Sequence, residues 1–345
     1  MTVVSTTTAA EYGADGTIQL RHLPLDPPKR GELLVRITAC GVCPSEVMRW
    51  YAASKAPFVL GHEPAAVIEA CGEDAGPFGP GERVFVHHHA PCMTCRRCQR
   101  GDYVQCEVWR AGRLVPGGMS RYAIVPASIV GEDVLSLPDW VDDDTAVFVE
   151  PLATVVKSLR RAAVERGDRV LVIGLGVMGL LHILAARARG VQVILGSDIV
   201  GTRRDAALSA GAIAAFDPRS ERLTERVLAA TDGEGADVVV VGPGSVEALD
   251  DAVGCVARGG TIVAFTPLPP DVRWPMPVHD LFFKDVDVVS SYSAGPDDTR
   301  EALRLLEGGL PVKPLITHRF SLREAAEAYA LVARAGEALK VIVYP

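Results

Sequence analysis

Hydrophobic residues in the first third of the chain fall in short runs that Gly and Pro interrupt. Such runs, rich in β-branched residues and without a long helical period between them, are typical of strands joined by turns. The predicted strands are 32–39, 66–69, 83–86 and 122–125. We therefore expect the N-terminal region to be β-rich.

From Asp168 onward, apolar runs of strand length alternate with segments of helical period. The predicted strands are 169–173, 191–195, 214–216, 237–241, 261–265 and 286–290, and predicted helices at 177–189, 202–209, 221–230 and 246–256 lie between them. Parallel strands need such crossovers, and continuously apolar strands suit a sheet that is covered on both faces. This region is predicted to be a doubly wound parallel sheet of the α/β class.

The C-terminal segment is too short to form a hydrophobic core of its own. It contains an amphipathic stretch, a Pro-rich connection, a helix and a strand, at 299–307, 310–315, 322–335 and 340–344. We expect it to pack back on the N-terminal region. The predicted organisation is a domain of residues 1–152, an inserted nucleotide-binding domain of residues 153–294, and a return segment of residues 295–345.

Composition narrows the class of protein. With 345 residues the chain exceeds the roughly 250 to 300 at which single cores stop growing, and 48% hydrophobic residues suffice for two cores. The formal charge of −8, without a Lys or Arg run, argues against nucleic acid as a partner. No apolar stretch has the roughly 18 residues of a membrane span, and the Thr-rich segment 1–10 does not have the pattern of a signal peptide. We expect a cytoplasmic protein.

Four of the eight cysteines have the spacing C-x2-C-x2-C-x7-C, which defines a lobe of residues 92–106. They are Cys92, Cys95, Cys98 and Cys106. Four thiolates close a tetrahedral shell around zinc and leave no position for a substrate, so this motif predicts a structural zinc site. A metal-free loop or a disulfide pair is the alternative interpretation.

A glycine motif follows the first strand of the predicted parallel sheet. In Gly174-Leu175-Gly176-Val177-Met178-Gly179, the glycines permit the tight turn, the close approach of a pyrophosphate and the packing of the next helix. Asp198, 19 residues beyond Gly179, ends the next strand. A carboxylate there accepts hydrogen bonds from ribose hydroxyls and repels a 2′-phosphate.

The sequence thus predicts NAD(H) as the cofactor, with NADP less favoured. Arg203 and Arg204 follow Asp198 closely in the sequence, and their positive charges weaken the preference for NAD over NADP. Arg203 is a candidate for stacking on adenine, and a solvated helix face is the alternative.

A second set of metal-ligand residues is scattered along the chain: Cys43, His62, Glu63 and Glu150. Thiolate, imidazole and carboxylate together suit zinc. The order of motifs, C-G-x-C, G-H-E, the cysteine lobe, E-P-L and G-x-G-x-x-G, resembles the zinc-dependent medium-chain dehydrogenases, in particular their polyol (sorbitol) dehydrogenase-like branch. The resemblance covers essentially the whole chain. It implies a GroES-like β-barrel catalytic domain, a Rossmann domain, and a homodimer or homotetramer.

The resemblance also implies roles for individual residues. Cys43 and His62 become ligands of a catalytic zinc, while Glu63 and Glu150 compete for the remaining protein position. Ser45 would pass the proton of the alcohol outward. With the lobe, two zinc ions per chain are expected.

The chain departs from the family pattern next to Cys43. Pro44, Glu46 and Met48 stand where glycine, aspartate and histidine are usual. Met48 cannot carry a proton, so a relay beyond Ser45 must end elsewhere, whereas Glu46 can still orient His62 by a hydrogen bond.

The run His87-His88-His89 follows a predicted strand, whose adjacent residues point to opposite faces. At most two of these rings can converge, and we expect them at the rim or wall of a cleft rather than on a metal.

Three functions account for some or all of these motifs. The first is an NAD-dependent dehydrogenase of secondary alcohols, with a polyol, a sugar alcohol or its phosphate, or a cyclitol or aminocyclitol as substrate. The second is a zinc-ribbon protein that binds nucleic acid or a partner, and the third is a non-redox relative that keeps the cofactor structurally. The dehydrogenase explains every motif.

Overall fold

A computed structural model describes residues 4–345, and the first three residues of the Thr-rich segment lie outside this range. The chain divides into two compact units. One comprises the chain up to Ala153 together with Ala294–Pro345, and the other is Thr154–Ser293. No helix within residues 4–345 is both long enough and apolar enough to cross a membrane.

The N-terminal part of the first unit consists of strands with short helices between them. Its strands are β1 Thr6–Tyr12, β2 Ile18–Pro24, β3 Leu33–Gly41, β4 Phe58–Val59, β5 Glu63–Cys71, β6 Arg83–Val86, β7 Tyr122–Val125 and β8 Val134–Ser136. Its helices are α1 Arg49–Ala53, α2 Arg96–Gln99, α3 Glu107–Ala111, α4 Ala127–Val130 and α5 Asp143–Ala146, and α6 Val149–Arg161 continues into the second unit. Short 3-10 helices cover Pro44–Val47 and Tyr103–Gln105. The expectation of a β-rich region is confirmed, although the sequence pattern did not identify β1, β2, β4 and β8.

The second unit is a parallel sheet with helical crossovers, as expected. Its strands are β9 Arg169–Ile173, β10 Val193–Ser197, β11 Ala214–Phe216, β12 Ala236–Val241, β13 Val256–Ala264 and β14 Asp287–Ser290. Its helices are α7 Val177–Ala188, α8 Gly201–Ala210, α9 Leu223–Ala230, α10 Val246–Cys255 and α11 Val278–Lys284. The strand order β11-β10-β9-β12-β13-β14 reverses direction between β9 and β12, which is the topology of a dinucleotide-binding fold.

The C-terminal segment returns to the first unit. It contains α12 Pro296–Glu307, β15 Ile316–Ser321, α13 Ala325–Ala333 and β16 Lys340–Tyr344, with 3-10 turns at Lys313–Leu315 and Leu322–Glu324. β16 pairs antiparallel with β3, Ile342 opposite Gly41, and β15 pairs parallel with β16. The resulting sheet has the order β15-β16-β3-β5-β6-β8, and β7 also pairs with β3.

Each unit has its own hydrophobic core. The first core includes Val35 and Ile37 of β3, and it also includes Tyr329 of α13, so the tail contributes to it. The core of the second unit lies around Leu171 of β9 and Val239 of β12. The two cores explain why the chain folds as a discontinuous unit with another inserted.

The turn after β9 brings backbone against backbone. Gly174 has a left-handed φ of 86° and donates its N–H to the Ser197 carbonyl at 2.7 Å. A Cβ on Gly179 would lie 2.0 Å from the Gly174 carbonyl oxygen. Only glycine therefore lets α7 start this close to the strand.

We predict that Gly179→Ala destabilises the protein, by about 1 to 3 kcal/mol, because the added methyl forces the turn and α7 apart. Gly167→Ala is the matched control, since a Cβ at that position meets no atom within 4 Å. Denaturant unfolding of the two variants measures the difference. Equal stability of the two would show that α7 moves without cost.

Candidate functional site

Cys43, His62 and Glu63 converge in the first unit. Their ligand atoms all lie within 4.8 Å of one another. Cys43 follows the end of β3, and Glu63 is the first residue of β5, where the register places it opposite Gly41. The antiparallel pairing of two strands thus joins motifs that lie about twenty positions apart in the sequence. Ser45 is adjacent, with its hydroxyl 3.2 Å from the Cys43 sulfur.

Glu46 fixes the orientation of His62. The buried carboxylate accepts hydrogen bonds from His62 Nδ1 at 3.0 Å, the Gly61 amide at 2.9 Å and the Tyr329 hydroxyl at 2.6 Å. With Nδ1 engaged in this way, Nε2 is the nitrogen that remains for a metal. The expected role of Glu46 therefore has the geometry it requires.

The same contacts shift both pKa values. Burial by itself would raise the pKa of Glu46, but the charge of His62 and the three donors outweigh it, so the pKa is lowered. Burial would lower the pKa of His62, but Glu46 and the Cys43 sulfur raise it well above its ordinary value. The site therefore favours a positive charge between a thiolate and two carboxylates, as a metal ion requires.

Sequence reasoning missed Lys340, the first residue of β16. Its ammonium group donates to Glu63 Oε2, and the two side chains are only 1% and 0% exposed. The other carboxylate oxygen, Oε1, is buried and has no hydrogen-bond partner among the described residues. An unpartnered carboxylate oxygen beside a sulfur and an imidazole fits a zinc ligand set with an open position.

Glu150 lies at the start of α6 and does not belong to the group around Cys43. Its carboxylate, with His87 and His88, forms a separate group whose ligand atoms lie within 4.8 Å of one another. Burial raises the pKa of Glu150, and the nearby charge of Glu63 adds to this although His62 opposes it. The Glu150 side chain is 4% exposed.

The three histidines of the run differ in burial. His87 is fully buried, and the ring of His88 lies 4.8 Å from the ring of His62. The residues follow β6 instead of continuing it, so strand alternation does not hold there and His87 and His88 converge. The His89 ring packs on the His88 ring, with 4.1 Å between their centroids, and also contacts the Gly112 carbonyl and the Trp109 ring.

The four cysteines of the lobe also come together. Their sulfur atoms lie within 4.8 Å of one another, with 3.5 Å between Cys95 and Cys98 and 4.0 Å between Cys92 and Cys98. These distances bracket the separation of about 3.8 Å that a tetrahedral site with Zn–S bonds of about 2.3 Å implies. None of the four forms a disulfide in the structure.

The thiols of the lobe are suited to a cation. Burial, reinforced by the neighbouring sulfurs, raises the pKa of Cys98 to about 12. Hydrogen bonds from Thr94 lower the pKa of Cys92 to about 6. Neighbouring thiolates repel one another, and a bound cation offsets that repulsion.

In the second unit, the predicted nucleotide residues surround one turn. Gly176 precedes α7, and Val177, Met178 and Gly179 form its first turn, whose amides are available to an anion. The Asp198 carboxylate accepts hydrogen bonds from the backbone amides of Leu175 at 2.7 Å and Val200 at 2.8 Å. The Arg203 guanidinium lies 3.7 Å from the Asp198 carboxylate.

Comparison with known proteins covers nearly the whole chain. Residues 29–139 match the family model for the alcohol dehydrogenase GroES-like domain, and residues 177–308 match that for zinc-binding dehydrogenases. A sorbitol dehydrogenase of Halalkalibacterium halodurans is 30% identical, over 96% of each chain. One from Bombyx mori is 28% identical, over 97% of each chain.

A solved structure agrees with these sequence matches. A protein from Sinorhizobium meliloti 1021, solved as a zinc-binding dehydrogenase bound to NADP, superposes with a TM-score of 0.89. It is 26% identical, and the match covers 99% of this chain and 100% of that one.

We predict that Cys98→Ala lowers the zinc content by one ion per chain and destabilises the lobe, because three thiolates no longer close the tetrahedral shell. Metal analysis by mass spectrometry and limited proteolysis within residues 92–106 measure the two effects. Cys255→Ala, at a buried cysteine of the second unit, is the control for zinc content. An unchanged zinc content in Cys98→Ala would contradict the structural site.

Proposed function

The chain belongs to the zinc-dependent medium-chain dehydrogenases, in their polyol dehydrogenase-like branch, and from this premise we propose that it transfers hydride between a secondary alcohol and NAD at a zinc ion. Membership confirms the resemblance, the α/β fold class and the assignment as an alcohol or polyol oxidoreductase. The observation that carries the site assignment is the convergence of Cys43, His62 and Glu63 within 4.8 Å.

We propose that Cys43, His62 and Glu63 are the three protein ligands of the catalytic zinc. When bound, the ion would act as a Lewis acid that lowers the pKa of the substrate hydroxyl and leaves one position open to it. His62 is held in orientation by Glu46. Ser45, whose hydroxyl lies beside the Cys43 sulfur, would relay the substrate proton by accepting it while its own proton passes to solvent. Glu150 lies outside this ligand group, so Glu63 is the favoured third ligand.

Lys340 sets the charge of this site. Zn²⁺ with one thiolate and one carboxylate ligand would have no net charge, so an added alkoxide would make the site negative. The buried ammonium group of Lys340, in contact with Glu63, offsets part of that negative charge. Lys340 thus favours binding of the alkoxide form of the substrate.

We propose that the first unit is the catalytic domain and the second holds the dinucleotide. NAD is favoured because the Asp198 carboxylate, fixed by two backbone amides, is placed to accept the ribose hydroxyls. The family accounts for the use of a nicotinamide dinucleotide, and the choice of NAD over NADP rests on Asp198.

A polyhydroxylated substrate is the most consistent with the relatives, among them the sorbitol dehydrogenases. Sugar alcohols come first, and their phosphates, cyclitols and aminocyclitols extend the class. A zinc-ribbon protein, and a relative without redox activity, are not favoured, because the matches extend over both domains rather than the cysteine lobe alone.

We also propose a homodimer or homotetramer in a reducing compartment, the cytoplasm. In support of the oligomer, α11 exposes Phe282 and Phe283, at 74% and 67%, beside the edge strand β14. In support of the compartment, eight cysteines remain free, and four of them are grouped as a metal site.

We predict that the purified protein reduces NAD with a sugar alcohol and that Cys43→Ala lowers kcat/KM by about 1000-fold or more, since the loss of the Lewis acid removes several kcal/mol of transition-state stabilisation. Absorbance at 340 nm with a panel of polyols measures this. Cys71→Ser, a half-buried cysteine of β5, should retain activity. No reduction with any alcohol by the zinc-loaded wild type would refute the proposed reaction.

We predict that Asp198→Ala shifts the ratio of kcat/KM for NADP over NAD upward by about tenfold or more, a change of about 1.4 kcal/mol, because the carboxylate that repels a 2′-phosphate is gone and Arg203 remains. Asp205→Asn, on the exposed side of α8, is the control. A ratio that does not move in Asp198→Ala would show that Asp198 does not set the cofactor preference.

A further inference from the structure

Two unpartnered imidazole nitrogens lie close to a buried carboxylate in the first unit. His87 Nε2 and His88 Nδ1 are both buried and have no hydrogen-bond partner among the described residues. One ring nitrogen of each of these histidines and one Glu150 oxygen lie within 4.8 Å of one another. A buried nitrogen without a partner is costly, and two such nitrogens beside a buried carboxyl group are an arrangement that a cation satisfies.

The neighbours of His87 determine which of its nitrogens is available. Asp133, fully buried, accepts a hydrogen bond from His87 Nδ1 at 2.7 Å and another from the Thr299 hydroxyl at 2.6 Å. In the neutral ring this places the proton on Nδ1 and the lone pair on Nε2. A carboxylate behind a histidine is the arrangement that orients histidine ligands in zinc sites.

We propose that His87, His88 and Glu150 form a second metal seat, which binds one divalent ion such as zinc and is distinct from the site of Cys43, His62 and Glu63. Two imidazoles and a carboxylate are a ligand set of zinc sites that keep an open position. The set contains no thiolate, whereas the first site does. The seats adjoin, since the rings of His62 and His88 are 4.8 Å apart.

The seat accounts for features that the proposed dehydrogenase site does not use. Glu150 is grouped with the histidines and not with Cys43. Asp133 and Thr299 place a polar pair deep in the fold behind His87, where apolar residues would pack at lower cost. A metal ion held by His87 and Glu150 would explain both the grouping of Glu150 with the histidines and the polar pair behind His87.

The test removes the first site and asks whether metal still binds. The double variant C43A/H62A, with zinc in the cysteine lobe, is titrated with Co²⁺ and followed by absorption and by metal analysis. We expect one bound Co²⁺ per chain, with visible d–d bands and without a sulfur-to-metal charge-transfer band. Binding is measured directly, so this result does not depend on turnover or on the proposed reaction.

Further substitutions on this background identify the ligands. Adding His87→Ala or Glu150→Gln should weaken Co²⁺ binding by more than about tenfold, and adding Asp133→Asn by about 10- to 100-fold, because Asp133 orients His87. His22→Ala, at an exposed histidine of β2, is the control and should leave binding unchanged.

Two outcomes overturn the proposal: a folded C43A/H62A protein that binds no Co²⁺, or Co²⁺ binding that survives His87→Ala. Far-UV circular dichroism establishes the fold. If C43A/H62A does not fold, Cys43→Ser takes its place. On that background the d–d bands must persist without a charge-transfer band and must be lost with Glu150→Gln, and any other result rejects the seat.

Discussion

The buried ion pair between Glu63 and Lys340 is the contact on which the first unit depends. Both side chains are removed from water, and the desolvation of each charge is acceptable only because the other is in contact. The pair joins β5 to β16 and lies beside Cys43 and His62. Removing one partner would leave an uncompensated charge, which costs about 3 to 5 kcal/mol in comparable buried pairs. Stability of the fold and charge of the metal site are therefore set by one interaction.

Hydrogen bonds to buried carboxylates fix the orientation of the histidines in the candidate site. Glu46 orients His62, Asp133 orients His87, and in each case the carboxylate receives a further hydroxyl donor, from Tyr329 or Thr299. Both hydroxyls come from the C-terminal segment. That segment therefore contributes to the candidate site as well as to the sheet, and the proposed metal ligands are held by contacts from both ends of the first unit.

The sequence was sufficient for the elements whose signal is local. Periodicity located the parallel sheet, and the glycine motif with Asp198 located the dinucleotide turn, because these depend on neighbours within about thirty residues. Long-range pairing was not accessible in this way. Lys340 carries no motif, and its meeting with Glu63 follows only from β16 pairing with β3. The convergence of His87 and His88 was not predicted, because the strand ends at Val86 and the alternation of side chains between the two faces of a strand does not extend to these residues.

The order in which the ribosome makes the chain gives the Glu63–Lys340 pair a further consequence. The partners are separated by 277 residues, and the whole second unit is synthesised between them. During translation, the Glu63 carboxylate has no Lys340 partner and stays solvated until residue 340 emerges from the ribosome. The dinucleotide fold can therefore form first on the nascent chain, and the contact between Lys340 and Glu63 can form only afterwards. A ribosome that stalls after residue 293 would leave a complete second unit, whereas Glu63 in the first unit would lack the ammonium group of Lys340.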